Sequence, residues 1–168
     1  QGLSPGIYPV TASVDLGTLS TPQRARSLDV AVPEASASLE IRALSVFMPV
    51  RTGDGGRLAG MEGYLRELVS GEIPVSFADA AGGSDATLTF TVEHRELPEN
   101  DYGIVFVVAH ATMDARRDGV NVVSYSTPEV KEGGLDGGQA LSRAVNKLQE
   151  HLADDPEFKA ALRTFADG

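Results

Sequence analysis

The strongest constraint on the fold is a pair of runs with a period of two, separated by the polar turn PENDYG. In residues 86–97, ATLTFTVEHREL, apolar side chains alternate with threonines, which predicts a strand with one buried face. Residues 104–113, IVFVVAHATM, predict a second strand that is apolar on both sides at its start. Asp118-Gly119 indicates another tight turn before a third strand at 120–127. These three strands predict an antiparallel meander.

Segments whose apolar residues have helical spacing lie before and after the meander. Apolar residues recur at intervals of three and four in residues 57–72 and again in 139–152, which predicts two amphipathic helices. Asp155 is placed as the N-cap of a further helix, with Pro156 in its first turn. Asp136 is expected at the N-terminal cap of the second helix, after the glycine-rich connection VKEGGLDGGQ.

Two strands are predicted ahead of the first helix, a short one at 27–33 and another over 39–50. The element order predicts an α+β fold: a mostly antiparallel sheet of about four to five strands with two to three helices packed on one face. Residues 1–26, rich in Pro, Gly, Ser and Thr, are interpreted as an extended N-terminal tether. We expect residues 27–168 to form a single domain that closes with helices at about 139–166.

Composition excludes several classes of function. A formal net charge of −10 repels phosphate backbones, so nucleic-acid binding is not expected. The chain has no cysteine and therefore no disulfide or thiolate metal site. No apolar run approaches the roughly 20 residues that a membrane-spanning helix needs. The sequence carries no recognised catalytic or nucleotide-binding motif, and we expect no catalytic residues and no cofactor.

Two histidines on the predicted hairpin, His94 and His110, are the candidate metal ligands. If the turn centres on residue 102, they are cross-strand partners roughly 5 Å apart at Cβ and could share a metal ion. If it centres on residue 100, they are offset along the strands by roughly 13 Å and cannot. The alternative interpretation is a pair of strand-end histidines with no metal.

Two further groups are candidates for binding. A cavity between the sheet and the first helix could hold a small apolar ligand, although its lining residues are also ordinary core positions. The lining residues would be Phe47, Met61, Tyr64 and Phe106. The basic doublet Arg116-Arg117 could contact a carboxylate of a partner, or it could protect the end of a strand from unwanted pairing.

The order of elements resembles small envelope lipoproteins of Gram-negative bacteria: the lipopolysaccharide-assembly lipoprotein and the YajG-like and curli-secretion lipoproteins. The resemblance spans roughly residues 27–153, in the segments GGRLAGMEGYLRELVSG, ATLTFTVEHRELPENDYGIVFVVAHATM and GGQALSRAVNKLQEHL. It implies an accessory or assembly role without catalysis. Those proteins are anchored through a lipidated cysteine, so the resemblance implies such an anchor just upstream of Gln1.

Three functions follow, in order of preference. The first is a non-enzymatic cell-envelope protein, periplasmic or anchored to the outer membrane, that binds a protein partner through a sheet edge or a helix face. The second is a small domain that binds an apolar ligand. The third is a metal-dependent hydrolase that uses His94 and His110.

Overall fold

The computed structural model describes residues 5–12, 35–98 and 100–167. The chain divides into two compact units, Gln1–Arg42 and Ala43–Gly168. The strand predicted at 27–33 and the domain boundary predicted after residue 26 lie outside the described residues.

The described part of the first unit is a two-stranded antiparallel sheet. Strand β1, Gly6–Ala12, pairs along its whole length with β2, Ala35–Ile41. Nearly all the side chains of both strands are exposed, so backbone hydrogen bonds rather than a hydrophobic core hold this pair together. Part of the segment predicted as a tether is therefore a strand.

The second unit contains three α-helices and seven strands among its described residues. The strands are β3 Leu44–Phe47, β4 Val50–Thr52, β5 Val75–Ala78, β6 Ala86–Leu97, β7 Val105–Arg117, β8 Val120–Ser126 and β9 Val130–Gly134. The helices are α1 Ala59–Glu72, α2 Gly137–Asp154 and α3 Pro156–Asp167. A single 3-10 turn covers Ala81–Gly83.

The seven strands form one mixed sheet in the order β5-β3-β6-β7-β8, with β4 also paired to β6 and β9 also paired to β7. The α+β class is confirmed, but the sheet is larger than predicted and is mixed, since β3, β4 and β5 run in parallel ladders beside the antiparallel ones. The strand predicted at 39–50 is divided among β2, β3 and β4. Pro49, which has no N–H for a ladder, lies between the last two of these.

The β6–β7 hairpin agrees closely with its prediction. Its ladder has twelve pairs, from Ala86 opposite Arg117 to Leu97 opposite Phe106. The tight turn at Asp118-Gly119 is also confirmed, because both residues have positive φ, 49° and 77°. Two consecutive positive φ values are what a two-residue hairpin turn requires, and glycine adopts them without strain.

All three helices contribute to one hydrophobic core on a single face of the sheet. The strand side of that core includes Leu88, Phe90 and Val92 of β6, at alternating positions. The buried helix residues are Met61, Leu65, Val69, Ala140, Ala144, Leu148, Leu152, Phe158, Leu162 and Phe165. None of the helices within the described ranges is both long enough and apolar enough to cross a bilayer.

The predicted caps are confirmed. Gln139 N donates to the Asp136 carboxylate over 2.7 Å at the start of α2. At the start of α3, Glu157 N donates to the Asp155 carboxylate over 2.7 Å. Each carboxylate satisfies a backbone donor that has no partner within its helix.

Replacing Phe158 with Ala should greatly destabilise the second unit. The Phe158 ring is fully buried and lies 6.2 Å from the Phe90 ring and 5.3 Å from the Tyr125 ring. We expect Phe158→Ala to lower the free energy of unfolding by about 4 kcal/mol, measured by urea denaturation. The control is Leu135→Ala, since Leu135 is 79% exposed and should change stability little. Equal effects of the two substitutions would contradict this core.

Candidate functional site

The two histidines do not form a metal site. The ladder pairs Glu93 with His110 and His94 with Ala109, which places the centre of the turn midway between residues 101 and 102. Neighbouring positions of a strand point to opposite faces, so the two imidazoles lie on opposite sides of the sheet. His110 Nε2 lies 3.7 Å from a Glu93 carboxylate oxygen instead. Within the described ranges, no cluster of three metal-binding side chains occurs.

The four residues predicted to line an apolar cavity are also dispersed. Phe47 pairs with Thr87 and Phe106 with Leu97, at positions ten residues apart along β6, or about 33 Å. Met61 is buried in the core.

Tyr64 has a different role. Its hydroxyl donates to the carbonyl oxygen of Gln149 over 2.8 Å, which joins α1 to α2. Burial, aided by the nearby carboxylates Asp154 and Glu150, raises the pKa of Tyr64. The side chain predicted to contact a ligand therefore connects two helices.

The arginine doublet is divided between two roles. A guanidinium N–H of Arg117 donates to the carbonyl oxygen of Ala166 over 3.0 Å, and the group lies 5.5 Å from the centre of the Phe165 ring. It therefore satisfies a carbonyl in the last turn of α3. Arg116 is exposed, opposite Asn121 of β8. Of the two, only Arg116 is available to a partner.

Strand β8 forms an edge of the sheet beside Arg116. It has seven residues, VNVVSYS, none of them charged, and among the described strands it pairs only with β7. Beyond Pro128, the same edge continues as β9, which carries Lys131 and Glu132. An edge strand without charge is a template for pairing with another chain.

Polar contacts hold β8 on both faces. The Ser124 hydroxyl donates to the Asp114 carboxylate over 2.6 Å, and the Asn121 side-chain amide donates to Ser124 Oγ over 2.9 Å. On the helix side, the Tyr125 hydroxyl donates to the Asp155 carboxylate. These contacts fix the position of this edge strand on the sheet.

The Tyr125–Asp155 contact shifts the pKa of both side chains. The hydrogen bond from Tyr125 is the main reason that the pKa of Asp155 is lowered, with a further contribution from His151, whose Nε2 lies 3.4 Å from Oδ2. Burial, together with this hydrogen bond, raises the pKa of Tyr125 far above its usual value. The contact is therefore strongest between a neutral phenol and an ionised carboxyl group.

A second candidate site is a cavity of about 390 Å³, the arginine cavity, beside β4 and α1. Its lining includes Phe47, Met48, Pro49, Val50, Arg51, Gly55, Arg57, Glu62, Arg66 and Asp79. Arg51 and Arg57 flank a turn and face each other across a backbone bridge. Within this turn, the Thr52 hydroxyl donates to Asp54 and is the main reason that the pKa of Asp54 is lowered, followed by Gly56 N–H.

The sequence pattern of residues 51–56 predicts a turn and does not indicate this cluster. A signal was present: three of the 14 basic residues of an acidic chain fall between positions 51 and 66. The convergence itself depends on the bridge at Arg51 and Arg57 and on the packing of α1, which carries Arg66. Spacing along the sequence does not encode either contact.

The Tyr125–Asp155 contact should stabilise the fold in a pH-dependent way. Because the pKa of Asp155 is lowered by folding, its contribution is complete above the unfolded value, about 3.9, and is lost as pH falls through the folded value. We expect Tyr125→Phe to cost about 1.5 kcal/mol at pH 7 and less at acidic pH, where the Asp155 carboxyl group becomes protonated, as measured by urea denaturation. Tyr102→Phe is the control, since Tyr102 is 87% exposed. A cost independent of pH would contradict this account.

Comparisons with known proteins find similarity only among solved structures. No protein-family model matches the sequence, and no curated protein matches it. Lipoprotein GNA1162 from Neisseria meningitidis is 16% identical, with a TM-score of 0.40, and the match covers 66% of this chain and 99% of that chain. The PelC dodecamer from Paraburkholderia phytofirmans is 15% identical, with a TM-score of 0.40, and the match covers 67% of this chain and 86% of that chain.

Uncharacterized lipoprotein B from Nitrosomonas europaea is 13% identical, with a TM-score of 0.38, and the match covers 75% of this chain and 84% of that chain. Bacterial lipoproteins are thus among the structures that this chain is similar to, and they are the class that its element order resembles.

Proposed function

We propose that this chain is a non-enzymatic accessory or assembly protein of the bacterial cell envelope that binds a protein partner by adding a strand to β8. One observation supports the binding mode: β8 is a seven-residue edge strand without charge in a chain in which 23% of residues are charged. Edge strands of soluble proteins are ordinarily protected by charges, prolines, bulges or covering elements. β8 has a register shift beside Arg116 but carries neither a charge nor a proline, and an edge of this kind is suited to strand addition.

The contrast along the same edge strengthens the proposal. β9 has the protective features, since it carries Lys131 and Glu132 and follows Pro128. β5, at the opposite end of the sheet, is also uncharged but has only four residues. Among the edge strands of the larger sheet, β8 is the longest without a charge, although its ladder to β7 shifts register between Ala115 and Arg116.

The fixed position of β8 also favours binding. Val123 and Tyr125 pack against the core, and the Ser124 hydroxyl donates a hydrogen bond to the Asp114 carboxylate. A partner would therefore lose little free energy to ordering of this strand. Exposed Arg116, opposite Asn121, offers a guanidinium to an acidic side chain of the added strand.

The envelope location rests on the resemblance in element order. This resemblance predicts that the protein is exported and lies in the periplasm or at the outer membrane. It also predicts an acylated cysteine upstream of Gln1. Intact mass of the native protein purified from its own membranes tests this: we expect a mass that includes a diacylglyceryl or triacylated cysteine. An unmodified protein recovered from the soluble fraction would contradict the location and leave the binding mode to be judged separately.

Charges introduced at both ends of β8 should abolish strand addition. We expect the double variant Val120→Lys, Ser126→Lys to bind the partner at least about tenfold more weakly, because lysines protect an edge strand. Both positions are exposed. The control is Leu135→Lys, Asn146→Lys, which adds the same charge at exposed positions away from β8. Thermal melting verifies that both variants fold.

Two measurements test whether a partner strand pairs with β8. Envelope proteins that cross-link to the wild type should be lost with the β8 variant and retained with the control. Backbone amides of β8 should exchange hydrogen more slowly in the complex, because strand addition protects them. Retention of the same proteins by the β8 variant, or unchanged exchange in the complex, would overturn the proposed binding mode.

A further inference from the structure

We infer that the arginine cavity binds a phosphate-type oxyanion carried on an organic group. This inference is separate from the proposed binding along β8: the cavity borders β4, which pairs with β6 on the side away from β7, whereas β8 pairs with β7.

The first argument is the juxtaposition of like charges. The backbone bridge between Arg51 and Arg57 places these residues directly opposite each other, an arrangement that is destabilising when the charges are alike. Among the described residues, no carboxylate lies within ion-pair distance of either guanidinium. An oxyanion bound between them would remove this repulsion, and guanidinium groups bind phosphates in a bidentate manner.

The third arginine is held in place. A guanidinium nitrogen of Arg66 lies 3.0 Å from the Glu62 carboxylate, and the group stacks 5.1 Å from the centre of the Phe77 ring. Because its charge is already compensated, Arg66 serves as a preorganised donor on the α1 side of the cavity. The unpaired positive charge lies on the turn side.

The charge of the cavity differs from that of the chain. Three arginines and two carboxylates, Glu62 and Asp79, give the lining a formal charge of +1, whereas the whole chain carries −10. Phe47 and Pro49 add apolar surface to the lining. A cavity of about 390 Å³ that combines arginines with apolar groups suits an organic phosphate better than a bare ion.

Titration with phenyl phosphate and with inorganic phosphate, monitored by amide chemical shifts, tests the inference. We expect phenyl phosphate to bind more tightly than inorganic phosphate and to shift the amides of 51–57. Arg57→Gln and Arg51→Gln should each weaken binding by about tenfold, the effect of one charged hydrogen bond. Arg163→Gln is the control, because Arg163 is also exposed and lies outside the cavity lining.

A second experiment distinguishes two sources of the oxyanion, a free phosphate compound and a lipid headgroup. Vesicles of phosphatidylcholine with phosphatidic acid are added to the same variants. Vesicle binding that is lost in Arg57→Gln but kept in Arg163→Gln assigns the oxyanion to a lipid, whereas phenyl phosphate binding without vesicle binding assigns it to a free compound. Absence of both, or equal weakening in Arg163→Gln, overturns the inference.

Discussion

The twelve-pair antiparallel ladder between β6 and β7 is the interaction on which the second unit depends. Every other strand of the larger sheet attaches to one of these two strands or to β3, which itself pairs with β6. The register places Leu88, Phe90 and Val92 opposite Ala115, Met113 and Ala111, so that both strands direct apolar side chains to the same face. The three helices bury their apolar stripes against that face.

The same register decides which polar residues meet on the opposite face. Glu93 lies opposite His110 and Asp114 lies opposite Thr89, while Ser124 of β8 lies beside Asp114. A shift by one residue exchanges the faces of a whole strand, since side chains alternate. His94 is therefore separated from His110 although the two are adjacent along the ladder. Hydrophobic burial along the core face selects this register, and the chemistry of the histidines has no influence on it.

The two sides of the hairpin have different physical properties. On the β6 side, short parallel strands and a turn bring Arg51 and Arg57 together with little compensation. On the β7 side, β8 presents an uncharged edge that is fixed by hydrogen bonds and by the core. One side thus offers concentrated positive charge, and the other offers backbone hydrogen-bonding groups. The proposed strand addition along β8 and the proposed oxyanion site therefore lie on different sides of the hairpin and would not compete.

The sequence alone determined the elements whose signal is local. Strand 86–97, the turn at Asp118-Gly119, the two capped helices and the α+β class could all be predicted, because periodicity, capping and turn chemistry act between near neighbours. Tertiary structure decided the rest. Strands β5 and β9 are too short for a periodic signal, and they exist because neighbouring strands supply their hydrogen bonds. The arginine cavity and the exposed edge of β8 likewise arise from long-range pairing, which residue spacing does not encode.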